Sequence, residues 1–131
     1  MNKPLDENGL PAGYPFQPDW EVTPRAVKAL MDAGQVGQGE GQTLLLDVRT
    51  PAEVATAAID GAMVVALQEI RSHLPDLEAF AEGPVVVSCH HGGRSMQVVA
   101  FLREQGFDDV KSMAGGIDLW AQEVDPSVTR Y

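Results

Sequence analysis

One stretch carries most of the chemistry the chain can offer: Pro84-Val85-Val86-Val87-Ser88-Cys89-His90-His91-Gly92-Gly93-Arg94-Ser95. Three valines after a proline suit a strand buried on both faces. Gly92 and Gly93 mark a tight loop, and the residues after Ser95 read as a helix, with Val98, Phe101 and Leu102 at i, i+3 and i+4 and Gly106 as a stop. The single cysteine of the chain, Cys89, therefore sits where a strand ends and a helix begins. The first turn of a helix has unpaired N–H groups and a partial positive charge, so a thiolate formed there is stabilised. Gly92 and Gly93 can both take positive φ, which turns successive loop N–H groups inward as an anion nest. Arg94 adds a permanent positive charge. A nucleophilic sulfur among donors is suited to attacking, or carrying, an anionic group.

Other residues are weighed against this centre. His90 and His91 are neighbours in the loop and are read as substrate contacts, with Gly92, Gly93, Arg94 and Ser95. They are not read as metal ligands with Cys89, because adjacent residues rarely chelate together and no further ligand cluster is visible. Arg94 fits two roles equally: binding an anion, or tying down loop carbonyls. Asp47 and Arg49 are expected to support a neighbouring loop as an ion pair or cap network. Trp120 is a core anchor for the last helix, and His73 is given no role.

The elements that must position these residues follow from the rest of the chain. Residues 1–20 hold four prolines and two glycines without periodicity, which predicts an irregular arm. About the first ten are expected to be a disordered tail, with Tyr14, Phe16 and Trp20 pinning the rest to a single domain over 21–131. Thr23-Pro24 opens a helix that Gly34 ends, with Val27, Leu30 and Met31 as its apolar stripe. A glycine-rich loop leads to a buried strand over 43–47. Thr50-Pro51-Ala52-Glu53 is a capping box that starts a helix running to about Ala57. A strand over 62–65, a helix over 67–73 and a separate helix over 75–80 precede the Cys89 strand. A strand over 110–113, the turn Ala114-Gly115-Gly116 and a helix over 117–123 complete the chain. Strands alternating with helices predict an α/β fold with a small parallel sheet and helices on both faces. Ligands bind such sheets beyond the carboxyl ends of the strands. Cys89, Asp47-Val48-Arg49 and Ala114-Gly115-Gly116 all lie at such ends and are expected to converge on one pocket.

Composition bounds the setting. The 131 residues suffice for one domain. The net charge of −10 argues against nucleic acid or an anionic membrane as partner. It also opposes long-range capture of anions, so any anion site must be local. Apolar runs are too short for a membrane span, and Met1 to Glu7 lacks the apolar core of a leader. With one cysteine no internal disulfide is possible, which suits a reducing, cytoplasmic setting.

The Cys89 to Ser95 loop, a cysteine followed by four residues and Arg-Ser, resembles the active loop of the rhodanese-type sulfurtransferases. The resemblance extends to Leu44-Leu45-Leu46-Asp47-Val48-Arg49-Thr50-Pro51-Ala52-Glu53, to Ile59-Asp60-Gly61-Ala62 and to Met113-Ala114-Gly115-Gly116-Ile117-Asp118-Leu119-Trp120. These matches stand in the family's order over roughly residues 22–122, a much more specific signal than the loop alone. The resemblance implies a rhodanese-like fold and a reaction in which Cys89 takes a sulfane sulfur from a small anionic donor such as thiosulfate. The sulfur then passes to an external thiol or a protein acceptor, without a cofactor. Many thiosulfate-using relatives have arginine where His90 stands, and relatives often have histidine where Ala58 stands. Two other readings share the loop: a phosphatase or arsenate reductase, and a non-catalytic protein-binding module. Related phosphatases have five residues between cysteine and arginine, and this chain has four, a smaller cradle.

Overall fold

The computed structural model describes residues 4–131. Five strands form one parallel sheet: β1 (Glu21–Val22), β2 (Leu44–Asp47), β3 (Met63–Val64), β4 (Val85–Ser88) and β5 (Val110–Met113), in the order β1-β5-β4-β2-β3. The helices between them are α1 (Pro24–Asp32), α2 (Pro51–Thr56), α3 (Ile70–Leu77), α4 (Gly93–Glu104) and α5 (Gly116–Glu123). The central strands β2 and β4 are buried at every residue, as their unbroken Leu and Val runs require.

Side-chain alternation along these strands builds two cores. Leu44, Leu46, Val85 and Val87 face α3 and α4, packing on Ile70, Leu77, Val98, Val99 and Leu102. Leu45, Val86 and Met113 face the other way, onto Val27 of α1 and Ile117 and Trp120 of α5. The result is the expected α/β fold with helices on both faces of a small parallel sheet.

The helix-start signals hold in detail. The Thr23 hydroxyl accepts from Ala26 N at 3.1 Å, and Thr50 with Glu53 forms a complete capping box at α2. Pro75 is the exception. In place of two helices broken by Pro75, a single helix α3 runs through it, flanked by short 3-10 turns. Ile70, Leu74 and Leu77 keep one apolar stripe across the proline and pack against the core, which outweighs the lost N–H. The two-residue strand β1 had no sequence signal, being too short to alternate.

Of the ten or so residues expected to form a disordered tail, residues 1–3 lie outside the described residues, and residues 4–10 are held against the domain. Asp6 N donates to Leu10 O at 2.7 Å, and Leu5 bridges Pro11. Leu10 is buried against Ala114 and Leu119, with Tyr14 and Phe16 packed on the same cluster. Trp20 packs on the α3/α4 core and lies under the Arg103 guanidinium at 4.0 Å. The arm is irregular, yet it buttresses the turn that faces Cys89.

Candidate active site

Cys89 follows directly on β4, and the loop 89–92 delivers the chain into α4. This helix has no side-chain cap at its start. The sulfur takes that role: Cys89 Sγ accepts from Ser95 N at 3.3 Å and from Gly92 N at 3.1 Å. Ser95 is the third residue of α4, where an N-cap oxygen would ordinarily receive the N–H. The electropositive end of the helix is thus aimed at the sulfur. Gly92 has φ +110°, which makes the turn possible. Gly93 does not share this geometry. Its φ is not positive and it is the first residue of α4, so the loop has one left-handed glycine where the sequence suggests two.

The Ser95 hydroxyl completes the shell. The Cys89 thiol donates to Ser95 Oγ at 3.4 Å, and Ser95 Oγ donates to Gly92 O at 3.1 Å. Ser95 Oγ also lies 2.7 Å from Ser112 Oγ of β5. Both serines are fully buried. A hydroxyl can turn, so Ser95 can accept from the thiol and donate to the thiolate.

The expected three loops do meet. The first-turn N–H groups of α5 have no side-chain cap and bond the active loop: Ile117 N to Cys89 O at 2.9 Å and Asp118 N to His90 O at 3.1 Å. Gly116 allows this approach, since a Cβ there would lie 2.4 Å from Cys89 O and 2.5 Å from His90 O. On the other side, Val48 N donates to Ser88 O at 3.0 Å, setting the Asp47-Val48-Arg49 loop beside the end of β4.

Asp47 and Arg49 form the buried pair that the sequence suggests. Arg49 Nη2 meets Asp47 Oδ2 at 2.6 Å and Nε meets Oδ1 at 3.0 Å, with both residues almost wholly buried. Burial opposes the Arg49 charge, but Asp47 and then Tyr131 more than compensate, so it stays firmly charged.

Arg94 does not tie down loop carbonyls. It forms a two-pronged pair with Glu53 of α2, Nη1 to Oε1 at 2.6 Å and Nη2 to Oε2 at 2.9 Å. This bond holds the Arg94 guanidinium above its ordinary range, with a smaller contribution from Cys89, and holds the Glu53 carboxyl well below the usual carboxylate range. Its positive charge is thus near the sulfur but largely balanced.

His90 and His91 point to different partners. His91 Nδ1 lies 3.8 Å from Asp118 Oδ2. The His90 ring packs on His91 with centroids 3.8 Å apart and stacks on Tyr131 at 3.9 Å. Burial lowers the His90 imidazole, and His91 lowers it further, against a smaller raising effect of a backbone hydrogen bond with Tyr131. Its Nε2 is buried without a hydrogen-bond partner among the described residues. Among these residues no group of three or more His, Cys, Asp or Glu side chains is placed to hold a metal ion.

Glu53, Ser112 and Tyr131 are the site residues that sequence reasoning missed. Glu53 was visible only as a helix cap. A serine in the short strand Val110–Met113 was the sole hint of Ser112. Tyr131 gave no signal.

A cleft of about 680 Å³ between the Gln38–Gln42 loop and Ala79–Pro84 is at the opposite end of the sheet, before β2 and β4 begin. It is remote from Cys89, and the parallel-sheet rule places ligand chemistry at the other end.

Residues 23–123 match the family described as Rhodanese-like domain. The chain is 39% identical over 89 residues to "Rhodanese-like/PpiC domain-containing protein 12, chloroplastic" of Arabidopsis thaliana, covering 66% of this chain and 30% of that protein. It is 36% identical over 104 residues to thiosulfate sulfurtransferase GlpE of Pseudomonas fluorescens, covering 76% of this chain and 82% of that protein. A solved rhodanese-related protein from Thermoplasma volcanium superposes with a TM-score of 0.68 at 26% identity, over 86% of this chain and 99% of its own. The chain spans less than a third of the length of the plant relatives it matches.

Proposed function

The chain belongs to the rhodanese-like domain family, and from that premise we propose that it is a sulfurtransferase carrying sulfur on Cys89. Relatives named as thiosulfate sulfurtransferases support sulfurtransferase activity in general. The observation that carries the mechanism is the Cys89 sulfur held by the N–H groups of Gly92 and Ser95 at a helix start.

In the first step the Cys89 thiolate attacks the outer sulfur of a donor such as thiosulfate. A new S–S bond forms at Cys89, the donor's own S–S bond breaks, and its electron pair leaves with sulfite. Cys89 is left as a persulfide anion. Loop amides between His90 and Ser95 stabilise the negative outer sulfur, as an oxyanion hole stabilises oxygen. In the second step an acceptor nucleophile, cyanide or a thiol, attacks the outer sulfur and releases the Cys89 thiolate. Two half-reactions through one covalent intermediate give ping-pong kinetics. Cys89 is the one cysteine of these 131 residues, so none of them offers a second thiol to take the sulfur on.

Charge at the site bears on the donor. Arg94 and Arg49 are each paired with a carboxylate, and burial disfavours a charge on His90. Attraction of the donor therefore rests on backbone N–H groups at short range, which suits a small anion. Nucleic acid and membrane partners do not fit a chain of net charge −10. Among the described residues no helix is long and apolar enough to cross a membrane. A reducing compartment such as the cytoplasm, which keeps a lone thiol free, is part of the proposal.

Turnover assays on the parent and on Cys89→Ser test the reading, with thiosulfate and cyanide in one arm and an activated phosphate ester or arsenate in the others. The proposal requires turnover with the sulfur pair that vanishes in the serine variant. Activity with phosphate ester or arsenate alone would replace it by the phosphatase or reductase reading, and no activity in any arm by the binding-module reading.

A further inference from the structure

Ser112 takes no part in the steps above, yet it touches the residue that touches the sulfur. It sits inside the sheet on β5, paired with Val87 of β4 on one side and with Glu21 of β1 on the other. Its N–H donates to Trp20 O at 2.8 Å. Its Oγ lies 2.7 Å from Ser95 Oγ, which in turn accepts from the Cys89 thiol at 3.4 Å. Cys89, Ser95 and Ser112 are each 1% exposed or less. A strand held along both edges fixes the Ser112 side chain against the Ser95 hydroxyl.

The direction of the bond between the two serines follows from counting hydrogens. A serine hydroxyl has one hydrogen to donate and two lone pairs that accept. The Ser95 hydrogen goes to Gly92 O at 3.1 Å. Ser95 Oγ is the one hydrogen-bond partner of the Ser112 hydroxyl among the described residues. If Ser95 donated to it, the Ser112 hydrogen would be buried unpaired, which is costly. Ser112 therefore donates, and Ser95 Oγ accepts from both Ser112 and the thiol. Two donors that share one oxygen each hold it more weakly. A hydroxyl that accepts a bond is also polarised into a stronger donor. Ser112 thus loosens the hold of Ser95 on the S–H, and strengthens its donation to the sulfur once that proton has left.

We propose that Ser112 is a positioning residue of the Cys89 site: by donating to Ser95 Oγ it sets that hydroxyl as a donor to the sulfur anion. In the function proposed above, on which this consequence rests, the anion is the thiolate that attacks in the first step and leaves in the second. The hydrogen-bonded chain itself does not depend on that function.

The S–H stretching band, taken as the infrared difference between each protein and its Cys89→Ser counterpart, belongs to one residue, because Cys89 is the one cysteine of these 131 residues. The proteins compared at mildly acid pH are the parent, Ser112→Ala, Ser95→Ala and the variant with both changes, each shown to be folded by its thermal transition. Ser112→Ala should move the band to lower frequency, since Ser95 Oγ then has one donor fewer. In the Ser95→Ala background the same change should leave the band in place, because Ser112 acts through Ser95. Single-turnover loading from thiosulfate should slow about threefold in Ser112→Ala. If the alanine variant does not fold, Ser112→Thr and Ser112→Val, alike in shape and different in the hydroxyl, make the same comparison, with the valine band below the threonine band. An unmoved band, a band moved upward, an equal shift with and without the Ser95 hydroxyl, or loading at the parent rate overturns the proposal. Normal loading of the parent beside an unmoved band rejects the role of Ser112 alone. A band that moves as expected in a protein that takes up no sulfur upholds the hydrogen-bonded chain and rejects the sulfurtransferase reading.

Discussion

Arg94 and Glu53 are joined by two parallel hydrogen bonds across 41 positions of the chain. The pair ties the first turn of α4, which holds the sulfur, to the first turn of α2. The carboxylate also completes the α2 capping box, so one side chain serves a local and a long-range purpose. Both partners are partly exposed, so solvent weakens the pair, and its geometry matters more than its raw charge.

Glu53→Gln tests this link through pH. The Glu53 carboxyl is depressed by Arg94, so the folded state binds its proton less readily than the unfolded chain does. Its stabilisation is complete above the ordinary carboxylate value of 4.5 and is lost as the pH falls below it towards the folded value. The glutamine variant should be less stable at neutral pH by about 1–2 kcal/mol. Its stability should also fall less steeply than the parent's below pH 4.5. Urea unfolding over a range of acid pH checks this, and parallel acid limbs would show that Glu53 does not carry the linkage.

Gly92 and Gly93 should respond differently to the same substitution. Gly92 needs φ +110°, whereas Gly93 is helical, and a Cβ on Gly93 meets nothing within 4 Å. Gly92→Ala should cost about 1–3 kcal/mol through backbone strain. Gly93→Ala should be neutral or slightly stabilising, by up to about 1 kcal/mol. Thermal or urea unfolding of both variants reads the difference, and equal losses would contradict the loop geometry.

The Asp47–Arg49 pair supports the site from the β2 side. Arg49→Met leaves Asp47 charged, buried and without its main partner, and should cost about 3–5 kcal/mol. Restoring balance with a second change, Asp47→Leu, should recover much of that loss, because a matched apolar pair avoids the desolvation penalty. A double-mutant cycle in urea measures both, and additive losses would show that the residues act separately.

Much of this architecture was legible in the sequence because it is encoded locally. The Leu44–Leu46 and Val85–Val87 runs announce buried parallel strands, the Thr50–Glu53 box announces a helix start, and Gly92 announces the turn into α4. The Cys89 centre and the Asp47–Arg49 pair were legible for the same reason, since their partners lie within a few residues. Arg94–Glu53 and His90–Tyr131 were not, because pairing across 41 positions leaves no periodic trace in either segment. Pro75 misled because propensity favours a break while the apolar stripe through Ile70, Leu74 and Leu77 continues. The folded arm was hidden too, since Leu10 is a lone apolar residue amid prolines and glycines whose burial depends on the distant Ala114 and Leu119.

The central claim, that Cys89 carries sulfur, is tested most directly by intact mass after incubation with thiosulfate and removal of the excess. The account predicts a gain of one sulfur atom located by fragmentation at Cys89, reversed by cyanide and absent in Cys89→Ser. A folded parent protein whose mass is unchanged by thiosulfate and by other sulfane-sulfur donors, or one whose added sulfur persists in the serine variant, would contradict it.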